Sequence, residues 1–122
     1  MTSNTQAKVH EGGCHCGAVR YRVELDLAAP AITCNCSICG KSGSILQFVD
    51  PSKFTLERGE ESLTDYQFNK RVIHHLFCKV CGIKSFARGV GPEGPMIAVN
   101  VRALDEVDAF TIEAQQYPGR DA

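Results

Sequence analysis

Between residues 18 and 25 apolar and polar side chains alternate: Val19, Tyr21, Val23 and Leu25 fall on one side of an extended chain, Arg20, Arg22 and Glu24 on the other. A period of two marks a strand with one face in a core. Short apolar pieces rich in β-branched and aromatic residues follow at 31–33, 44–49, 54–57, 63–68, 72–77, 96–101 and 110–114, with turn formers such as Asp50-Pro51 and Arg58-Gly59 between them. No window long enough for a helix carries the 3.6-residue period. Residues 102–107 predict one helical turn, and the Gly- and Pro-rich stretch 89–95 a hairpin or loop. Residues 1–11 are polar and aperiodic, which predicts a mobile N-terminal arm ahead of a folded domain over 12–122. Seven or eight short strands with little helix predict an all-β domain of small antiparallel sheets.

Composition narrows the class. A chain of 122 residues is one domain's length, and 43% hydrophobic with 22% charged residues excludes a disordered or collagen-like chain. Thirteen basic against fourteen acidic residues leave a net charge of −1, which offers no field for nucleic acid or an anionic membrane. No apolar run approaches the roughly 18 residues that span a bilayer. The first eight residues lack the apolar core of a secretory signal, so a reducing cytoplasm is expected, where thiols stay free. With six Phe, three Tyr and no Trp the core is sparse, and small sheets with sparse cores are often stapled.

The seven cysteines are the candidate staples. They fall in three tight groups: Cys14-His15-Cys16, Cys34-Asn35-Cys36-Ser37-Ile38-Cys39 and Cys78-Lys79-Val80-Cys81. Thiolates two or three positions apart can grip one zinc ion from a single turn, whereas cysteines buried merely as small apolar residues have no reason to cluster. Seven thiolates cannot fill two four-sulfur sites, so the division is four and three. Only the middle group offers three ligands locally: Cys34, Cys36 and Cys39. Cys14 and Cys16 then join Cys78 and Cys81 across an intervening 61 residues. Closing that loop costs about 3.6 kcal/mol, against roughly 10–16 kcal/mol from structural zinc. Glycines 12, 13, 17 and 82 flank the pairs and suit a backbone that curls toward sulfur; Lys41, Lys79 and Lys84 are near the thiolates in sequence and could offset their charge. A closed four-sulfur site is structural. A site with three protein ligands keeps a position for substrate, and its soft donors favour an incoming thiol over hydrolytic chemistry.

The segments from Gly12 to Tyr21 (GGCHCGAVRY), from Cys34 to Ser44 (CNCSICGKSGS) and from Phe77 to Gly82 (FCKVCG) resemble, in order, those of the glutathione-dependent formaldehyde-activating family, which also includes centromere protein V. The resemblance covers roughly residues 12–101. It implies an Mss4-like (β-tent) all-β fold and a carbon–sulfur lyase activity of the S-hydroxymethylglutathione synthase kind. It also implies two zinc ions per chain, a structural one on Cys14, Cys16, Cys78 and Cys81 and a catalytic one on Cys34, Cys36 and Cys39. The implied partners are a small-molecule thiol such as glutathione and a small aldehyde. A zinc-stabilised binding module without catalysis is the competing expectation, since such a module needs only the closed site.

Other motifs say less. Adjacent His74 and His75 project to opposite faces of a strand, so at most one can face a site, and a satisfied core histidine is the commoner case. His15 sits between two ligands and reads as solvent-facing. Gly40-Lys41-Ser42 ends like a phosphate-binding loop, but Asn35 stands where its first glycine belongs, so that motif fails.

Overall fold

The computed structural model describes residues 7–29, 31–68, 71–92 and 94–118. Its strands are β1 (Lys8–Gly13), β2 (Arg20–Leu25), β3 (Ala31–Cys34), β4 (Leu46–Val49), β5 (Phe54–Arg58), β6 (Leu63–Tyr66), β7 (His74–Cys78), β8 (Lys84–Gly91), β9 (Gly94–Asn100) and β10 (Ala114–Tyr117). Among the described residues the α-helix is one turn, α1 (Cys39–Ser42), and four short 3₁₀ turns join strands. No helix there is long and apolar enough to cross a membrane. The fold is all-β, as the alternation predicts.

The strands form two sheets, one of three strands in the order β1-β2-β5 and one of seven in the order β10-β3-β4-β9-β8-β7-β6. Pairing is antiparallel except between β10 and β3, so the larger sheet is mixed rather than purely antiparallel. The apolar face of β2 meets the larger sheet: Tyr21, Val23 and Leu25 share one buried cluster with Leu76, Phe86, Ile97 and Val99. Its centre is aromatic, with ring centroids 4.9 Å apart for Tyr21 and Phe54 and 4.7 Å for Phe54 and Phe86. The Tyr21 hydroxyl, buried in that apolar mass, donates to the Ser85 carbonyl at 3.3 Å, so its polar end is not left unpaired.

Three expectations need correction. Strand structure begins at Lys8, within the stretch expected to be a mobile arm; residues 1–6 of that stretch lie outside the described residues. Lys8–Gly13 is held by its ladder to β2 and by the Asp105 N–H donating to the Glu11 carbonyl at 2.8 Å, while most of its side chains face water and so give no apolar signal. The strand expected at 110–114 forms later, at Ala114–Tyr117. Asp108 caps a 3₁₀ turn there by accepting the Phe110 N–H at 2.9 Å, which diverts Ala109–Thr111 from extended structure. The helical turn expected at 102–107 is a 3₁₀ turn at Val101–Ala103, where Asn100 Oδ1 accepts the Arg102 N–H at 3.2 Å.

Candidate metal centres

All seven cysteines are free thiols, and the fold gathers them into two clusters. In the first, Cys14 follows the end of β1 and Cys78 ends β7, and each opens a tight turn of the same design. The Cys14 N–H donates to the Val19 carbonyl at 3.1 Å and the Cys78 N–H to the Ile83 carbonyl at 3.0 Å, so each turn closes five residues on. Inside each turn an N–H points back at sulfur: Val19 to Cys14 Sγ at 3.2 Å, Val80 to Cys78 Sγ at 3.4 Å. Gly17 and Gly82, at φ 87° and 81°, take the left-handed conformation that both turns require.

These turns bring the four sulfurs within 4.8 Å of one another, with Cys16 Sγ 3.6 Å from Cys14 Sγ and 3.7 Å from Cys78 Sγ. Four sulfurs at about 2.3 Å around zinc have edges of about 3.8 Å, so the cluster fits a tetrahedral ion. Its electrostatics favour thiolate at Cys81 and Cys14 and oppose it at Cys16. The Ile83 N–H and the backbone N–H of Cys16 draw the Cys81 thiol down to about 6. Burial works against ionisation of Cys14, yet the Val19 N–H and the neighbouring Cys16 and Cys78 thiols bring it below the ordinary thiol range. Cys16 stands at about 11: the Ala18 N–H pulls it down, but desolvation and the three other sulfurs outweigh that pull.

The second cluster lies on one loop. Cys34 ends β3, Cys36 sits in the following turn and Cys39 opens α1; their sulfurs also lie within 4.8 Å of one another. The turn is set by the Gly40 N–H donating to the Cys36 carbonyl at 2.8 Å, and by the Cys36 N–H pointing at Cys34 Sγ at 3.4 Å. The Asn35 N–H donates to the Tyr117 carbonyl at 3.3 Å, so β10 buttresses the loop. Burial, with the Cys36 sulfur beside it, pushes the Cys39 thiol up to about 12. Cys36 is also desolvated, but N–H groups led by that of Cys39 bring it below its ordinary value. Among the described residues no fourth His, Cys, Asp or Glu joins this cluster, so its donors leave a tetrahedral ion one ligand short.

The three cysteines line a cavity of about 660 Å³, together with His75 and Lys84. Lys84 lies next to the Cys81 turn in sequence, but its charge acts on Cys39 and Cys36; burial lowers its own pKa while those two sulfurs raise it. Lys41 and Lys79 are exposed, and Lys41 lines a separate hollow beside α1. His75 is buried, stacks on Phe68 with centroids 5.4 Å apart, and has no hydrogen-bond partner for Nδ1. Burial and then the Lys84 charge push its pKa down to about 4, so the ring is neutral. His74 lies outside the cavity, its Nδ1 2.7 Å from an Asp65 carboxylate oxygen. His15 is exposed. Sequence alone gave no reason to prefer His75 over His74 or to move Lys84 to the central cluster; the phase of β7 and β8 decides both.

A strand-built domain carrying one set of four thiols and one set of three beside a cavity belongs to the class of cysteine-rich β folds whose thiol clusters could hold metal ions. The model of the family described as glutathione-dependent formaldehyde-activating enzyme matches residues 9–120, and the chain belongs to that family. A crystal structure of a Rhodobacter sphaeroides protein superimposes with a TM-score of 0.78 at 36% identity, covering 88% of this chain and 99% of that one. A Halomonas elongata protein provisionally named a glutathione-dependent formaldehyde-activating enzyme is 56% identical over 32 residues, a stretch covering 26% of this chain and 20% of that relative's length.

Proposed function

We propose that this domain is a zinc-dependent carbon–sulfur lyase that makes or breaks the adduct of a small thiol with a small aldehyde, S-hydroxymethylglutathione being the type, in a reducing cytoplasm and without a nucleic-acid or membrane partner. The observation that carries the reading is the three-thiol cluster, with no fourth protein donor among the described residues, opening into the cavity of about 660 Å³. Cys34, Cys36 and Cys39 would hold the catalytic ion, and Cys14, Cys16, Cys78 and Cys81 a structural one. Zinc on three thiolates supplies a soft Lewis-acidic position that favours the deprotonated form of an incoming thiol.

The chain's own residues do the rest. In the forming direction the thiol loses its proton, its sulfur attacks the aldehyde carbon, and the carbonyl π electrons move to oxygen, which takes up a proton to give the hydroxymethyl thioether. The reverse breaks the same C–S bond and returns thiol and aldehyde. Lys84 is the cation facing the cysteines, where it offsets thiolate charge and steadies charge developing on oxygen. His75, held neutral, can exchange hydrogen bonds with substrate without adding a second positive charge.

Addition of thiols to formaldehyde is quick without help, so the informative quantity is the rate of exchange between free and adduct forms, followed by NMR. Zinc-replete wild type should speed exchange, and Cys36→Ser should return it to the uncatalysed rate. Equal rates with both proteins, together with no thiol binding by calorimetry, would turn the assignment toward a non-catalytic binding module.

A further inference from the structure

We infer that the cavity beside Cys34, Cys36 and Cys39 takes thiols with an apolar, uncharged body, such as an arylalkyl or branched alkyl thiol and its hydroxymethyl adduct, in preference to glutathione. This rests on the reading of the three-cysteine site as a thiol site and names its substrate class.

The register of the larger sheet builds the floor. Phe48 pairs with Ala98, Ala98 with Ala87, and Ala87 with His75, which makes one row across β4, β9, β8 and β7. Side chains paired across a ladder share a face, so this row lies opposite the face on which Phe86 and Val99 enter the core. Two alanines between Phe48 and His75 leave a hollow where larger residues would fill the space. Gly89 and Met96 form a further pair on this face, and Ile32 pairs with Leu46 near the cysteines. All of these residues line the cavity.

Its rim is apolar and wet. Phe48, Ile73 and Tyr117 line the cavity while remaining 48%, 50% and 50% exposed, and large apolar groups gathered around a hollow mark a ligand site. Charged groups are few. Among the described lining residues there is no Asp or Glu, and the cations are Lys84 and Arg88. Arg88 has the phase of Phe86 rather than Ala87 and places its guanidinium 5.6 Å from the Phe86 ring centroid, toward the core face. That leaves Lys84, which lines the cavity together with Cys34, Cys36 and Cys39. Glutathione brings two carboxylates and an ammonium group. Against the described walls its ammonium finds no carboxylate and its own carboxylates compete for Lys84, so it must keep them hydrated and forgo apolar contact. A benzyl or branched alkyl group has no charge to desolvate on entering.

The test compares phenylmethanethiol, glutathione and 2-mercaptoethanol on zinc-replete protein, by calorimetric binding and by adduct exchange with formaldehyde. Phenylmethanethiol should bind at least tenfold more tightly than glutathione. Ala98→Leu, which fills the floor at a half-buried position, should weaken phenylmethanethiol about tenfold and the smaller 2-mercaptoethanol far less. Phe48→Ser at the half-exposed rim should narrow the same preference, which keeps the test open if the floor variant folds poorly. Glutathione binding as tightly as phenylmethanethiol, or more so, overturns the inference even if exchange is accelerated. Tight phenylmethanethiol binding with no acceleration for any thiol supports the inference and overturns the lyase assignment. Absence of binding by every thiol overturns both.

Discussion

Lys84 stands opposite Phe77 across the ladder of β7 and β8, whereas the next pair, one residue back on β7 but two residues along on β8, is Leu76 with Phe86. Ser85 is therefore an extra residue, and the bulge it makes changes which way Lys84 faces. In a regular strand Lys84 and Phe86 would share a face, and the ammonium would enter the aromatic core beside Tyr21 and Phe54. With the bulge, Lys84 shares the face of Ala87 and His75, toward the central cysteines. Tyr21 pins the irregularity by donating to the Ser85 carbonyl.

Replacing that ammonium by an uncharged side chain of similar length should therefore affect chemistry more than folding. Lys84→Met should slow thiol–aldehyde exchange about tenfold, equivalent to about 1.4 kcal/mol of barrier, with its urea unfolding midpoint near that of wild type. Parallel NMR exchange and denaturation measurements decide it; an unchanged exchange rate removes Lys84 from the mechanism.

The two clusters should respond differently to loss of one sulfur. Cys78 is fully buried, packs with Cys14 and Val19, and joins the start of the chain to the end of β7. Cys78→Ser should cost several kcal/mol, enough to leave the domain largely unfolded or poorly expressed. Cys39→Ser alters a loop whose three ligands are local, and should lose one zinc while keeping the β-sheet circular-dichroism spectrum. Equal loss of fold in the two variants would contradict separate structural and catalytic roles.

Metal content gives an independent check. Protein purified without chelator should carry two zinc ions after supplementation, and graded chelation should remove them in two stages. The three-sulfur site should empty first because it has one protein donor fewer, with a small fall in Tm; the four-sulfur site should empty later, with loss of fold. Elemental analysis alongside thermal unfolding follows both stages, and a content fixed at one ion after supplementation would defeat the two-site scheme.

The cysteine spacing made the clusters legible before any fold was known, because chelate geometry is local: Cys34, Cys36 and Cys39 span six residues, and each outer pair spans three or four. Alternation likewise exposed β2, whose faces differ sharply. Strand β8 is not legible in the sequence because Gly89, Gly91 and the bulge at Ser85 break its period, and the pairing of β1 depends on backbone hydrogen bonds that leave little apolar pattern. The cavity was illegible for a related reason. It arises from four strands in register, and Phe48, Ala87, Ala98 and His75 carry no common signature until the sheet aligns them.

His75 gives the last prediction, on pH. Its folded pKa, pushed to about 4 by burial and by Lys84, lies below the 6.5 of an unperturbed histidine. Between those values the unfolded chain binds a proton that the folded chain refuses, so stability rises with pH. The contribution is complete above about pH 6.5 and is lost progressively as pH falls toward 4, at up to about 1.4 kcal/mol per pH unit and about 3 kcal/mol in all. Thiolate protonation and metal release also weaken the protein in acid, so wild type alone does not isolate this effect. His75→Phe keeps a ring against Phe68, removes the unpartnered Nδ1 and cannot titrate. Urea unfolding at pH 7.0 and 5.5 should show wild type losing about 1 kcal/mol more than His75→Phe over that interval. Parallel losses in the two proteins would mean that His75 accepts its proton in the folded state at an ordinary pH.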